Sequence, residues 1–177
     1  MTASAADLRY PIGPFTPVAP SSDVRRNAIE EIAALPERLA DAVQGLNDWQ
    51  LDTPYRPGGW SVRQVVHHIA DSHVNAFVRL KLALTEDRPA VTAYDEKAFA
   101  ALADTRLPVD VSFALVRGLH ARWVTLYVAM ANDGWERTFV HPEYQEPLTL
   151  DWQAQMYAWH SRHHVAHITA LRQREGW

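Results

Sequence analysis

The sequence predicts an all-α protein, an antiparallel four-helix bundle with long connections. Two observations carry this. Four segments keep apolar residues at helical spacing, and proline- or glycine-bearing connections separate them. At 177 residues the chain is also long enough to bury one core without disulfides.

The first segment runs from Ser21 or Ser22, as cap, to about Gln44. Val24, Ala28, Ile32, Leu35, Leu39 and Val43 share its face. Pro36 lies inside and should kink or divide the helix, and Gly45 stops it. Residues 46–60 read as loop, with one turn around Asn47–Leu51. Ser61 caps the second helix, which runs to about Leu84 with Val62, Val65, Val66, Ile69, His73, Phe77 and Leu80 on one face. Residues 85–109 form a long connection containing a short helix over Glu96–Leu102. Such a length suits a lid or a functional loop.

Asp110 opens the third helix, through Phe113, Val116, Leu119, Trp123, Leu126 and Tyr127 to about Met130. Residues 132–148 read as irregular, with Thr138–Val140 able to pair as a strand. The fourth helix runs from about Leu150 to Arg174. Residues 1–20, with prolines at 11, 14, 17 and 20, read as an extended N-terminal arm. It either hangs loose or packs Tyr10, Ile12 and Phe15 on the domain or on a second subunit. Residues 21–177 then form the single bundle domain. The two wide connections, 85–109 and 132–148, are expected at bundle ends.

Composition excludes several functions. The net charge of −4 argues against nucleic acid as partner. The absence of cysteine removes disulfides, thiolate ligands and a cysteine nucleophile, so any metal must be held by nitrogen and oxygen. No run of apolar residues suits a signal peptide or a membrane span, which reads as a cytoplasmic protein with no membrane partner.

Chemistry concentrates in the fourth helix. His160, His163, His164 and His167 are four of the chain's nine histidines. Residues four apart share a helix face, which gives two pairs, 160/164 and 163/167. Such a pair can chelate one ion, as in HExxH proteases, but the glutamate of that motif is missing. On a wheel at about 100° per residue, Leu150, Met156, Tyr157, Ile168 and Leu171 cluster with His160 and His164 among them. His163 lies at the edge of this arc or beyond it, and His167 is intermediate. The 160/164 pair therefore faces the interior. An open site wants a third protein ligand. The second helix offers His67, His68 and His73. His73 sits on the apolar face, as a core histidine would. His67 and His68 flank that face at roughly 130° on either side, so the wheel does not choose between them. Asp71 and Ser72 can orient His68.

Gly58 to His73, Tyr94-Asp95-Glu96-Lys97, Leu119-His120-Ala121-Arg122-Trp123 and Trp159 through Ile168 together resemble the DinB/YfiT-like family of metal-dependent enzymes, the YfiT-like branch most closely. Tyr10-Pro11-Ile12-Gly13 also resembles that branch. The resemblance covers nearly the whole chain. It implies a four-helix bundle binding zinc or nickel through three histidines. The family pattern of a histidine eight residues after the tryptophan, counted from Trp60, falls on His68. The final pair falls on His160 and His164. Where many relatives carry glutamine, this chain has His167. The resemblance also suggests a homodimer.

A three-histidine ion with open positions can lower the pKa of a bound water from about 15.7 to about 7, which makes a hydrolase of a small-molecule substrate. It can instead bind the thiolate of a low-molecular-weight thiol, which makes a transferase or isomerase. Relatives in the wider family are thought to use such thiols. A non-catalytic metal-binding bundle is the third reading. Asp71 and Asp95 are the candidate carboxylate bases, each with a surface or capping role open to it. Arg63, Arg79, Arg122 and Arg162 are the cations available to a carboxylate-bearing cosubstrate.

Overall fold

A computed structural model describes residues 8–177; residues 1–7 of the N-terminal arm lie outside the described residues. The four long helices are α1 (Ser22–Val43), α3 (Val62–Thr85), α5 (Asp110–Ala129) and α6 (Leu150–Glu175). Two single-turn helices, α2 (Asp48–Leu51) and α4 (Glu96–Phe99), sit in the connections. So do 3₁₀ turns at Ala103–Arg106 and Asn132–Glu136.

Local chemistry starts and stops these helices where the side chains allow. Ser21 Oγ accepts from Val24 N at the head of α1. Ser61 and Gln64 close a reciprocal capping box at α3, with Ser61 Oγ accepting from Gln64 N and Gln64 Oε1 from Ser61 N. Thr149 caps α6, and Gly176 ends it in a left-handed conformation (φ 73°) that a side chain would resist. β1 (Thr138–Phe139) and β2 (Leu148–Thr149) form a short antiparallel ladder, Thr138 opposite Thr149 and Phe139 opposite Leu148.

Pro36 does not divide α1. The helix runs through it, and Leu35, Pro36 and Leu39 are all buried. What the proline removes is one backbone donor.

Helix directions follow from the contacts. His67 meets Ser112, His73 meets His120 and Phe77 meets Trp123, so α3 and α5 run the same way. α6 runs against α3: His73 meets His160, and Ala76 O accepts from Gln153. α1 lies parallel to α6, with Arg25 on Asp151 and the Ala42 carbonyl on Arg172. Two parallel neighbours need a return connection between them. Residues 86–109 supply it, running back along α3 from its C-terminus to its N-terminal half, where the Ala100 carbonyl accepts from Gln64 and Leu107 O meets His67. This connection therefore covers a flank of the bundle rather than only an end. It joins the other connection at the Ala90–Val140 bridge.

The apolar core falls into two clusters. Phe77, Leu80, Trp123, Tyr127 and Leu150 belong to one; Leu39, Val65, Ile69, Val116, Ile168 and Leu171 to the other. Between them in sequence lie His73 on α3, His120 on α5 and His160 to His167 on α6, three of the four long helices. A polar layer crosses the bundle there. Buried polar groups without partners cost stability, and the rings of His73, His120, His160, His164 and His167 pair with one another or with backbone carbonyls, while His163 Nδ1 is left without a partner among the described residues.

The arm packs on its own domain. Phe15 meets Trp152 edge-on and lies against Trp159, whose Nε1 donates to Gly13 O at 3.1 Å. Val18 exchanges two hydrogen bonds with the Gln155 side chain.

A candidate three-histidine metal centre

One nitrogen from each of His68, His160 and His164 lies within 4.8 Å of the others. His68 Nε2 is 3.3 Å from His160 Nε2, and His164 Nε2 is 3.1 Å from it. His160 and His164 come from one face of α6, one turn apart. His68 arrives from α3, with Trp60 lying over its ring at 4.5 Å.

The other histidines have different work. His67 turns to α5, with Nδ1 2.7 Å from Ser112 Oγ and Nε2 3.1 Å from Leu107 O. His163, which the wheel put at the edge of the buried arc, is 6% exposed. It stacks on Trp159 at 4.3 Å beneath Tyr10 of the arm, and a wheel cannot see that cover. His167 stands behind His164, its ring stacked on Tyr55. His73 is fully buried between His120 and His160.

Carbonyl oxygens only accept hydrogen bonds, and this assigns the protons. His167 Nε2 must donate to Arg9 O (3.1 Å), so its Nδ1 accepts from His164 Nδ1 (3.3 Å), leaving His164 Nε2 a bare lone pair. His120 Nδ1 must donate to Ile32 O (2.6 Å), so its Nε2 accepts from His73 Nδ1 (2.9 Å). His73 Nε2 then accepts from His160 Nδ1 (3.0 Å), leaving His160 Nε2 bare as well. Two lone pairs thus face each other at 3.1 Å with no proton between them. That arrangement repels unless a cation sits there, and the donor set fits a divalent ion that takes imidazole nitrogen.

Burial keeps the rings neutral, as ligation requires. It holds His68 down to about 4, assisted by charge on His167, and holds His160 and His164 well below the ordinary histidine range, assisted by their histidine neighbours.

His68 and His160 line a cleft of about 720 Å³. Tyr94, Tyr144, Trp152, Met156 and Tyr157 give it apolar and aromatic walls, and Arg79, Lys97, Glu96, Glu143 and His141 add charge and polarity. Both long connections contribute, so the cleft is built by the segments that the helical pattern left as loop. Asp95 lines it too, but its Oδ1 caps α4 by accepting from Lys97 N and Ala98 N. Asp71 is not among the lining residues; burial, with charge on Asp104, raises its pKa. Burial also pushes the Tyr94 phenol up to about 12, against a hydrogen bond with Ser72.

The DinB superfamily model matches residues 31–168. The chain belongs to the DinB superfamily. Among its relatives, a Bacillus cereus (strain 03BB102) protein named "Putative metal-dependent hydrolase" is 51% identical over 172 residues, covering 97% of this chain and 99% of the relative. A Bacillus mycoides (strain KBAB4) protein of the same description is also 51% identical over 172 residues, with the same coverage. The solved structure of YfiT from Bacillus subtilis, described as "a probable metal-dependent hydrolase with an unusual four-helix bundle topology", superposes with a TM-score of 0.93 at 46% identity, covering 97% of this chain and 99% of that one.

Sequence reasoning passed over three participants. His120 appeared only as part of a motif, although its place one residue after Leu119 and three before Trp123 puts it near the apolar face of α5. His141 sits in a segment without periodicity and gave no signal. Arg9 acts through its carbonyl, which no side-chain pattern can show.

Proposed function

We propose that the protein is a metal-dependent hydrolase of a small-molecule substrate, with His68, His160 and His164 holding zinc, or nickel in its place. The observation that carries this reading is the pair of bare Nε2 lone pairs at 3.1 Å, one of them on His160, which lines a cleft together with His68. The relatives' names support the same class. A divalent ion held by three neutral ligands keeps its full charge and supplies Lewis acidity toward water and carbonyl groups. The chain's own groups do the rest. Trp60 shields one side of His68. Tyr94, kept protonated, presents a hydrogen-bond donor to the cleft. Tyr157, Trp152 and Met156 displace water around an apolar part of the substrate. Three histidines, with no fourth ligand in the group among the described residues, favour an open, reactive site over a closed structural one.

The thiol-transferase reading needs cations facing the cleft. Of the four arginines available to it, Arg79 alone is among the lining residues, where Lys97 is the other cation. Arg63 is engaged by Asp48 and Asp52, Arg122 lies over Phe77, and Arg162 approaches Glu31. The deciding experiment is turnover of ester, amide and thiol-conjugation substrates by zinc-loaded protein, with and without a low-molecular-weight thiol. Hydrolysis that requires metal but no thiol is expected. Product formed only with thiol would replace hydrolase by transferase.

We also propose that the protein works in the cytoplasm, as a homodimer. No helix among the described residues is long and apolar enough to cross a membrane. Light scattering at micromolar concentration tests the assembly, and a monomer mass would end that part.

A further inference from the structure

We propose that Pro36, His120 and His73 are positioning residues for the metal site: the proline frees a backbone carbonyl that, through two histidines, fixes which nitrogen of His160 is bare. The proposal rests on the reading of His68, His160 and His164 as ligands. In an α-helix the carbonyl of residue i accepts from the N–H of residue i+4. The residue four after Ile32 is Pro36, which has no N–H. The Ile32 carbonyl therefore lacks its intrahelical donor in the middle of α1. It is the oxygen that His120 Nδ1 approaches at 2.6 Å.

From that oxygen each step is forced. His120 must carry its proton on Nδ1 and accept on Nε2, from His73 Nδ1 at 2.9 Å. His73 must accept on Nε2, from His160 Nδ1 at 3.0 Å. His160 is left with its Nε2 lone pair toward His68 and His164 before any ion arrives. No second assignment satisfies every member, because the carbonyl at the end cannot donate. An interior proline is the costliest residue a helix carries, and here it leaves an acceptor on α1 that meets the histidine layer. Ordinary ligating histidines donate their second nitrogen to a single partner. In this chain that partner, His73, is itself fixed by an acceptor one ring further on, the Ile32 carbonyl of another helix.

The test reads tautomers in the metal-free protein by long-range ¹H–¹⁵N correlation at neutral pH, and zinc affinity separately by chelator competition. In the wild type, His160, His73 and His120 are expected as Nδ1–H tautomers. Pro36→Ala restores a donor to Ile32 O, and His120→Phe breaks the chain without touching α1. Both are expected to mix the His160 tautomers and weaken zinc binding by about 10- to 100-fold. His163→Phe, beside the site but outside the chain, is expected to change neither. An Nε2–H tautomer of His160 or His120 in the wild type overturns the proposal. So does zinc affinity unchanged in both Pro36→Ala and His120→Phe. Wild-type protein that binds no zinc would instead sink the metal-site reading, while the tautomers of the same sample still decide this one.

Discussion

His67 Nδ1 stands 2.7 Å from Ser112 Oγ, so of two adjacent histidines on α3 one is committed to α5 and its neighbour, His68, to α6. The two rings are not interchangeable. His68→Ala, His160→Ala and His164→Ala are each expected to abolish stoichiometric zinc in the purified protein. His67→Ala should keep the metal and cost about 1–2 kcal/mol of stability, from the hydrogen bonds lost to Ser112 and Leu107 O. Metal analysis beside urea unfolding checks both. Full occupancy in His68→Ala with loss in His67→Ala would reverse the assignment.

Tyr94 is held in the protonated form by burial, up to about 12. Its O–H therefore remains a donor throughout the working range, and the pH–rate profile should show no fall due to Tyr94 below about pH 11. Tyr94→Phe is expected to leave zinc content unchanged and lower kcat/KM roughly three- to tenfold, the worth of one hydrogen bond. A variant with wild-type kinetics would remove Tyr94 from substrate contact.

Arg25 holds Asp151 through two bonds, 2.9 and 2.6 Å, tying the first turns of the parallel helices α1 and α6. The Asp151 side chain is only 5% exposed. Arg25→Ala strands that carboxylate, and a loss of about 3 kcal/mol is expected in chemical denaturation. Replacing both residues, Arg25→Met with Asp151→Leu, should recover most of it. A single variant within 0.5 kcal/mol (roughly a surface effect) would show that the pair contributes little.

Acid should destabilise the metal-free fold. Burial lowers His120 to about 4, against the hydrogen bond to Ile32 O that raises it, while the unfolded ring titrates near the ordinary 6.5. Between those values the unfolded chain binds a proton that the folded chain refuses. Stability from this group is complete above about pH 6.5 and falls by about 1.4 kcal/mol per pH unit down to about pH 4, where it levels off, some 3 kcal/mol in all. Urea midpoints from pH 7 to 4 measure it. His120→Phe should lessen the slope by about 1.4 kcal/mol per pH unit, the other buried histidines keeping their share, and an equal slope in both proteins would contradict the argument.

The sequence by itself determined the four helices, because apolar spacing, Ser61, Thr149 and Gly176 act within a turn or two of their own positions. It determined that His160 and His164 share a face, since one turn separates them on any helix. Periodicity alone stopped at His67 and His68: both flank the apolar face of α3, and which ring meets α6 depends on what packs on either side. Resemblance to a family pointed to His68, and packing brings that ring to His160 and His164. Helix direction, too, was decided by tertiary contacts, for the pattern in residues 85–109 does not say that they run back along α3 and leave α5 parallel to it. Pro36 marks the boundary most clearly. Its missing N–H is a property of the residue, legible in one letter. That the orphaned carbonyl of Ile32 meets His120, and through it His73 and His160, exists only when α1, α3, α5 and α6 lie side by side. Hydrogen bonds reach about 3 Å, and residues 32, 73, 120 and 160 come that close only in the folded bundle.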